Sequence, residues 1–236
     1  MPRFLLIETS TTVCSVSLAE GMHIIARRQT SEAKAHASLL AVFIDQILRE
    51  CGMKVKDLAA IAVSGGPGSY TGLRVGVSTA KGLCFGASIP LIHVSSLEVI
   101  AQLYLNSNTT ADPLRIYPMI DARRMEVYTA PYSVREEGSL GRMAFLEGSV
   151  QAMNITGESF MEELVMGKVI FTGNGAPKCR NTIVHPNALF AEVLSHADGM
   201  AQAAMKAYTE KKFEDVAYYI PFYLKEFVAI CPKKEF

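Results

Sequence analysis

The segment Ser64-Gly65-Gly66-Pro67-Gly68-Ser69-Tyr70-Thr71-Gly72-Leu73-Arg74-Val75-Gly76 is the least ordinary stretch of the chain. Glycines at this density permit positive φ and close backbone approach, and amides at the start of the helix that follows could receive an anion. The lysine of a GxxxxGK[ST] loop is missing, so the pattern is as consistent with a structural turn as with phosphate binding. Gly173-Asn174-Gly175-Ala176 repeats the situation after a later apolar run, and a turn is again the competing reading. Glu8 and Asp121 stand at the ends of two predicted strands, where carboxylates could hold a metal. Hydrolysis of that kind needs several converging acids, and a pair without lysine or histidine support does not supply them. His23, His36, His93, His185 and His196 show no metal-ligand spacing. The five cysteines are widely separated and contain no CxxC pair, as expected of reduced thiols packing as small apolar groups.

Within the helix predicted over 71–85, Gly72, Gly76, Ala80 and Cys84 recur every four residues and leave one face nearly flat. Each internal glycine costs about 1 kcal/mol relative to alanine, so a close contact is expected to compensate. That contact is either the protein's own sheet or first helix, or a helix of another subunit. The first helix poses the same question. His36, Leu39, Leu40, Phe43, Ile44, Ile47 and Leu48 follow a 3.6-residue repeat stopped by Gly52, while Ala37 and Ala41 widen the apolar stripe beyond one face.

The elements that position these residues begin with three strands in meander order. Phe4 to Ile7 is an apolar run, Cys14, Val16 and Leu18 alternate with small polar residues, and Glu20-Gly21 turns into a strand near 23–27. The first helix, a strand at 60–63, the second helix and a strand at 90–94 follow. A meander feeding parallel crossovers is the layout of a ribonuclease H-like α/β fold. Residues 1–105 form the first lobe on this reading. Residues 106–236 form a second, shortened copy, with strands at 116–120, 126–130 and 169–172 and a long helix from about 188 to 208. Half of the 236 residues are hydrophobic, enough for a buried core. Lys plus Arg and Asp plus Glu both total 23, so no whole-molecule positive field exists to hold RNA by phosphate neutralisation. The start has too short an apolar run for a signal peptide or membrane span, which suggests a cytoplasmic protein.

Several segments together resemble the TsaB family of the bacterial tRNA threonylcarbamoyladenosine machinery. They are Ile7-Glu8-Thr9-Ser10-Thr11, Ala35-His36-Ala37-Ser38-Leu39-Leu40, the 64–74 loop and Asp121-Ala122-Arg123-Arg124-Met125-Glu126-Val127-Tyr128, with a looser match at Pro221-Phe222-Tyr223-Leu224-Lys225. The resemblance implies an actin-like ATPase fold and a catalytic paralogue, TsaD, which holds its metal partly with an HxxxH pair on a helix. Aligning the strand that ends at Val94 with that paralogue puts the pair at Ser96 and Ile100, neither of which can replace an imidazole. Glu8 stands where the family more often has aspartate, and its longer arm would shift a phosphate or metal partner.

The resemblance therefore implies a non-catalytic scaffold that dimerises with TsaD and has no catalytic residue or metal of its own. In the family this pairing supports transfer of a threonylcarbamoyl group from threonylcarbamoyl-adenylate to the adenosine beside the tRNA anticodon. The expected partner surface comprises His36, Leu39, Leu40, Phe43 and Ile47 on the first helix, and Tyr70, Thr71, Gly72, Arg74, Val75, Gly76, Thr79 and Ala80 on the second. Glu8, Ser10, Gly173 and Gly175 are the candidate nucleotide contacts, for ATP or ADP at the complex interface rather than a tightly bound cofactor. TsaE would join through the complex, tRNA would be met only through it, and a homodimer would form when TsaD is absent, with no membrane involved. The alternative is a stand-alone enzyme of the same fold, a small-molecule kinase or ATPase or a glycoprotease-like metallopeptidase.

Overall fold

A computed structural model describes residues 1–32, 36–109 and 115–225. Ala35 of the first-helix motif and Cys231 lie outside these described residues; Cys14, Cys51, Cys84 and Cys179 are free thiols.

The chain opens with β1 (Arg3–Glu8), β2 (Cys14–Glu20) and β3 (His23–Thr30), then α1 (His36–Glu50), β4 (Ala60–Ser64), α2 (Tyr70–Ala87), β5 (Leu91–Val94) and α3 (Ser96–Ser107). The sheet order is β3-β2-β1-β4-β5, with β1 antiparallel to β2 and parallel to β4. β1 is covered on both faces. Leu5 and Ile7 pack with α1 and α2, whereas Phe4 and Leu6 pack with α3, which is why the strand reads as a continuous apolar run.

The second half contains β6 (Arg115–Asp121), β7 (Glu126–Thr129), β8 (Tyr132–Glu136), β9 (Arg142–Leu146), β10 (Gln151–Asn154), α4 (Met161–Met166), β11 (Val169–Thr172), α5 (Ala176–Cys179), β12 (Ala188–Ala191) and α6 (Ala201–Thr209). Its sheet runs β10-β7-β6-β11-β12, with β6 antiparallel to β7 and parallel to β11. Strand for strand this repeats the first sheet, so the molecule is a duplicated ribonuclease H-like unit, the actin-like ATPase fold. The second copy keeps all five strands of the pattern and inserts the β8–β9 hairpin. What is shortened is its helices, α4 and α5 having 6 and 4 residues.

The expected helix from 188 to 208 is corrected. Residues 188–191 form β12, pairing in parallel with β11, and Phe190 stacks on Phe171 with ring centroids 5.3 Å apart. A ladder and an aromatic partner outweigh the helical propensity of the alanines, and α6 begins only at Ala201. The strands of the two sheets fall on either side of the expected 105/106 division, but packing crosses it. α3 is a shared wall, its Val99 and Leu103 facing the first sheet and its Leu97, Ile100 and Tyr104 facing the second. Met200, Ala201 and Ala204 then pack against Phe4, Leu6 and Val94, returning the chain to the first lobe.

Candidate functional site

α2 separates its residues into four sides. Gly72, Leu73, Gly76, Val77, Ala80 and Cys84 are buried. A Cβ on Gly72 would collide with the Thr9 carbonyl, and one on Gly76 with the Thr9 hydroxyl, so this stripe exists to let the helix lie against the end of β1. The compensating contact is thus the protein's own sheet. Leu40 and Ile47 of α1 are core residues as well, 1% and 0% exposed. Leu40, Ile47, Gly72, Gly76 and Ala80 are therefore removed from the expected partner surface.

The outward side of α2 carries Thr71, Arg74, Ser78, Gly82, Phe85 and Gly86, all exposed. Gly82 and Gly86 have nothing within 4 Å of a Cβ position, and Phe85 is 83% exposed. Val75, Thr79 and Leu83 turn toward α1, where Val75 and Leu83 pack against the same cluster as Phe43. On α1 the outer positions are Ala37, Ala41 and Val42, the last 43% exposed, with Leu39 half-buried. Of the expected contacts, Leu39, Phe43, Thr71, Arg74, Val75 and Thr79 are at least partly accessible. Gly82, Phe85, Gly86 and Val42, which are also exposed, were not among the expected contacts. Their signal in the sequence was a second small-residue stripe, Ser78-Gly82-Gly86, on the opposite side of the helix from the first.

The fourth side of α2 is held by the C-terminal segment. Lys81 Nζ donates to the carbonyls of Ala217 and Tyr219 at 3.2 and 2.8 Å, and the Tyr219 hydroxyl meets His93 Nδ1 at 2.7 Å. Burial pushes the His93 pKa down, keeping this imidazole neutral. The Phe222 amide donates to the Gly65 carbonyl at 2.7 Å, and Gly66, at φ +109°, accommodates the Phe222 carbonyl directly over its α-carbon. Tyr223 then stacks on Tyr70 at 4.7 Å, and Arg74 lies over the same Tyr70 ring. Tyr70 is consequently engaged within the chain.

The N-terminal ends of α1 and α2 open onto a cleft of about 960 Å³ between the two sheets. Ser10, Thr11, Thr12, His36, Ser69 and Tyr70 line one wall; Asp121, Arg123, Tyr128 and Asn174 line the other, with Tyr223 and Lys225 at the edge. His36 Nε2 lies 3.0 Å from the Thr11 carbonyl, tying the first turn of α1 to the β1–β2 connection. Four amides of the glycine-rich loop and the first turn of α2 are spent internally. Gly65 N donates to Val94 O, Gly66 N to Ser96 Oγ, Ser69 N to Ser10 O and Gly72 N to the capping Ser69 Oγ. This favours the structural turn over an anion cradle. The second glycine segment is also a turn, with Gly173 at φ +95°, Gly175 N bonded to Met119 O at 2.9 Å and Asn174 Oδ1 accepting from Asp121 N.

Among the four candidate nucleotide contacts, only Ser10 lines the cleft. Glu8 is wholly buried beneath it, accepting from the Ser10 amide at 2.6 Å, and burial drives its pKa up. Gly173 and Gly175 are occupied sterically by Met119 and Ile120. On the far wall Lys178 binds both Asp121 and the Glu126 carbonyl, and Lys225 pairs with Glu126. Asp121 is thereby neutralised, and Glu126 is an ion-pair partner.

A family model described as TsaD, tRNA N6-adenosine threonylcarbamoyltransferase, matches residues 23–234. The tRNA threonylcarbamoyladenosine biosynthesis protein TsaB of Escherichia coli K12 is 37% identical over 136 residues, covering 58% of this chain and 57% of that protein. The chain belongs to the family that this model describes. TsaB of Bacillus subtilis is 38% identical over 131 residues, or 56% of this chain and 55% of that protein. The matched stretch thus spans a little over half the length of these TsaB relatives. A crystal structure of a Pseudomonas aeruginosa protein described as similar to the peptidase YeaZ superposes with a TM-score of 0.82 at 26% identity. It covers 95% of this chain and 100% of its own. Ser96 and Ile100, the positions expected to correspond to the paralogue's histidine pair, lie in the first turns of α3. Both are fully buried, Ser96 Oγ accepting from the Gly66 amide. Among the described residues no three His, Cys, Asp or Glu side chains converge as metal ligands, and no helix is long and apolar enough to cross a membrane.

Proposed function

We propose that this chain is the scaffold subunit of a threonylcarbamoyladenosine-forming assembly, pairing with the catalytic TsaD paralogue through the outer face of α1 and α2. The observation that carries this reading is the bare outer stripe of α2. Gly82, in the helix interior, lowers the helix's own stability by about 1 kcal/mol, Gly86 lies in its last turn, and neither has anything within 4 Å of a Cβ position. Flanked by the exposed Phe85 and Val42, they leave a flat, partly apolar surface on which a second helix can pack closely. On this reading the chemistry belongs to TsaD. TsaE and tRNA are met only within the assembly, the location is cytoplasmic, and a homodimer through the same face forms when TsaD is absent.

The test is size-exclusion chromatography with light scattering on this chain mixed with TsaD from the same organism. A one-to-one complex is expected, and Gly82→Leu is expected to abolish it while leaving the isolated chain folded. An undiminished complex with Gly82→Leu would move the interface elsewhere.

The cleft favours a second component of the reading, ATP or ADP held between the sheets near Ser10, Thr11, Asn174 and Arg123 when the partner is in place. Equilibrium dialysis of ATP against the chain alone and the complex checks this; retention by the complex only is expected. The rival, a stand-alone kinase, ATPase or metallopeptidase, predicts ATP turnover or stoichiometric zinc in the purified chain, and neither is expected.

A further inference from the structure

Basic and acidic residues balance over the whole chain, so any contact it makes with RNA has to be local. Among the described residues, Lys or Arg stand side by side in three places. Arg27 and Arg28 are paired with Asp198 and Glu50, and Lys212 is paired with Glu210. Arg123 and Arg124 are the exception. Both are exposed, and among the described residues neither guanidinium makes a hydrogen bond, ion pair or ring contact. They form the tip between β6 and β7, where both have left-handed backbone, φ +75° and +50°. Consecutive positive φ suits asparagine and glycine, because the Cβ of most other residues crowds the backbone there. The turn by itself therefore selects against two arginines, and their side chains return no contact within the chain. The tip is nonetheless firmly held. Ala122 N donates to Glu126 O at 3.0 Å, Glu126 N to Arg123 O at 3.1 Å and Arg123 N to Asp121 Oδ1 at 2.9 Å. Lys178 binds Asp121 and the Glu126 carbonyl, and Lys225 pairs with the Glu126 carboxylate. Each acid thus has its own lysine, which leaves both guanidinium charges uncompensated at the mouth of the interlobe cleft.

We infer that the β6–β7 tip is an RNA-backbone contact, Arg123 and Arg124 each holding a phosphate of the tRNA served by the assembly proposed above, a reading on which this assignment rests. The planar guanidinium fork matches phosphate oxygens, and a rigid tip presents two forks already in place. A nucleotide inside the cleft would meet Arg123, which lines it, but not Arg124, which does not; successive phosphates of one strand can engage both. Contacts of this kind fix the position of an RNA without reading its sequence. The tip belongs to the second sheet and lies outside the α1 and α2 face assigned to pairing, so one chain can serve both.

Fluorescence anisotropy of an unmodified tRNA titrated with the chain–TsaD complex, over a series of potassium chloride concentrations, tests this. Arg123→Gln/Arg124→Gln is expected to weaken binding about tenfold or more. It should also reduce the slope of log affinity against log salt by about 2, one for each arginine lost. Arg123→Asn/Arg124→Gly is expected to bind RNA as poorly while melting at a higher temperature than the parent chain, because its residues suit positive φ. Light scattering on the same samples reads pairing with TsaD separately. Failure of the parent chain to pair counts against the assembly and not against the tip; the titration is then made on the chain alone at low ionic strength, with the same loss expected in both variants. Unchanged RNA affinity and salt slope in the variants overturns the assignment. So does a lowered melting temperature in the second variant, which would mean that the arginines serve the fold. Loss of ATP retention with RNA binding intact would give them to a nucleotide and overturns it as well.

Discussion

Two glycines on one helix do opposite work. Gly76 sits where any Cβ would strike the Thr9 hydroxyl, so Gly76→Val is expected to destabilise the fold by about 3 kcal/mol or more, seen as a lowered urea midpoint. Gly82 has open space around it, and Gly82→Ala should raise stability by about 0.5–1 kcal/mol through helix propensity alone. Weakened partner binding on substitution at Gly76 would therefore report the damaged fold and say nothing of the interface. Gly82 separates the two effects. Neither residue type nor spacing distinguishes the stripes 72-76-80-84 and 78-82-86; only the position of β1 does. Glu8 shows the same limit. Its place at the end of β1 was legible, but its enclosure beneath Ser10, away from the cleft, depended on how the glycine-rich loop folds over the strand.

At the scale of elements, α3 is the least autonomous helix and carries a charge in its first turn. Burial raises the Glu98 pKa to about 7, with Lys206 opposing the shift. The folded state thus holds this proton more tightly than the unfolded chain does. Stability contributed by the neutral form is complete below about pH 4.5 and is lost as pH rises toward 7, by up to about 3 kcal/mol. Glu98→Gln should remove this dependence: the two proteins should unfold alike near pH 4.5, and the variant should be the more stable at pH 8. Thermal melts across that range check it. The C-terminal segment is an element without regular structure, held through backbone groups. Lys81→Met would leave the carbonyls of Ala217 and Tyr219 without their cation, and faster amide exchange over residues 217–222 is expected with little change in the global melt.

For the whole molecule, the lobes are not independent modules. The first sheet needs α3, Met200, Ala201 and Ala204 to cover Phe4, Leu6 and Val94, and the segment at 214–222 to close the edge of β5 and the glycine-rich loop. A fragment of residues 1–105 would keep α3 but lose Met200, Ala201 and Ala204 and uncover the Leu97, Ile100 and Tyr104 side of that helix, at about 1.5–3 kcal/mol for each large side chain uncovered. It is expected to be aggregated or unfolded by circular dichroism, whereas the full chain melts in a single transition.

The order of strands and helices as far as β5 was readable from periodicity, because a meander and two crossovers are local patterns whose apolar faces repeat at 2 and 3.6 residues, whereas α3, apolar on both sides, was not read. The family was readable as well, since its motifs lie in contiguous segments. Burial of the first glycine stripe, withdrawal of Leu40, Ile47, Gly72, Gly76 and Ala80 from the surface, the strand at 188–191 and the return of the chain end to the first lobe were decided by tertiary structure alone. Each depends on which distant segment arrives as a neighbour. A helix records in its sequence that it has small faces, but a small face turned to its own sheet and one left for another molecule are written in the same residues.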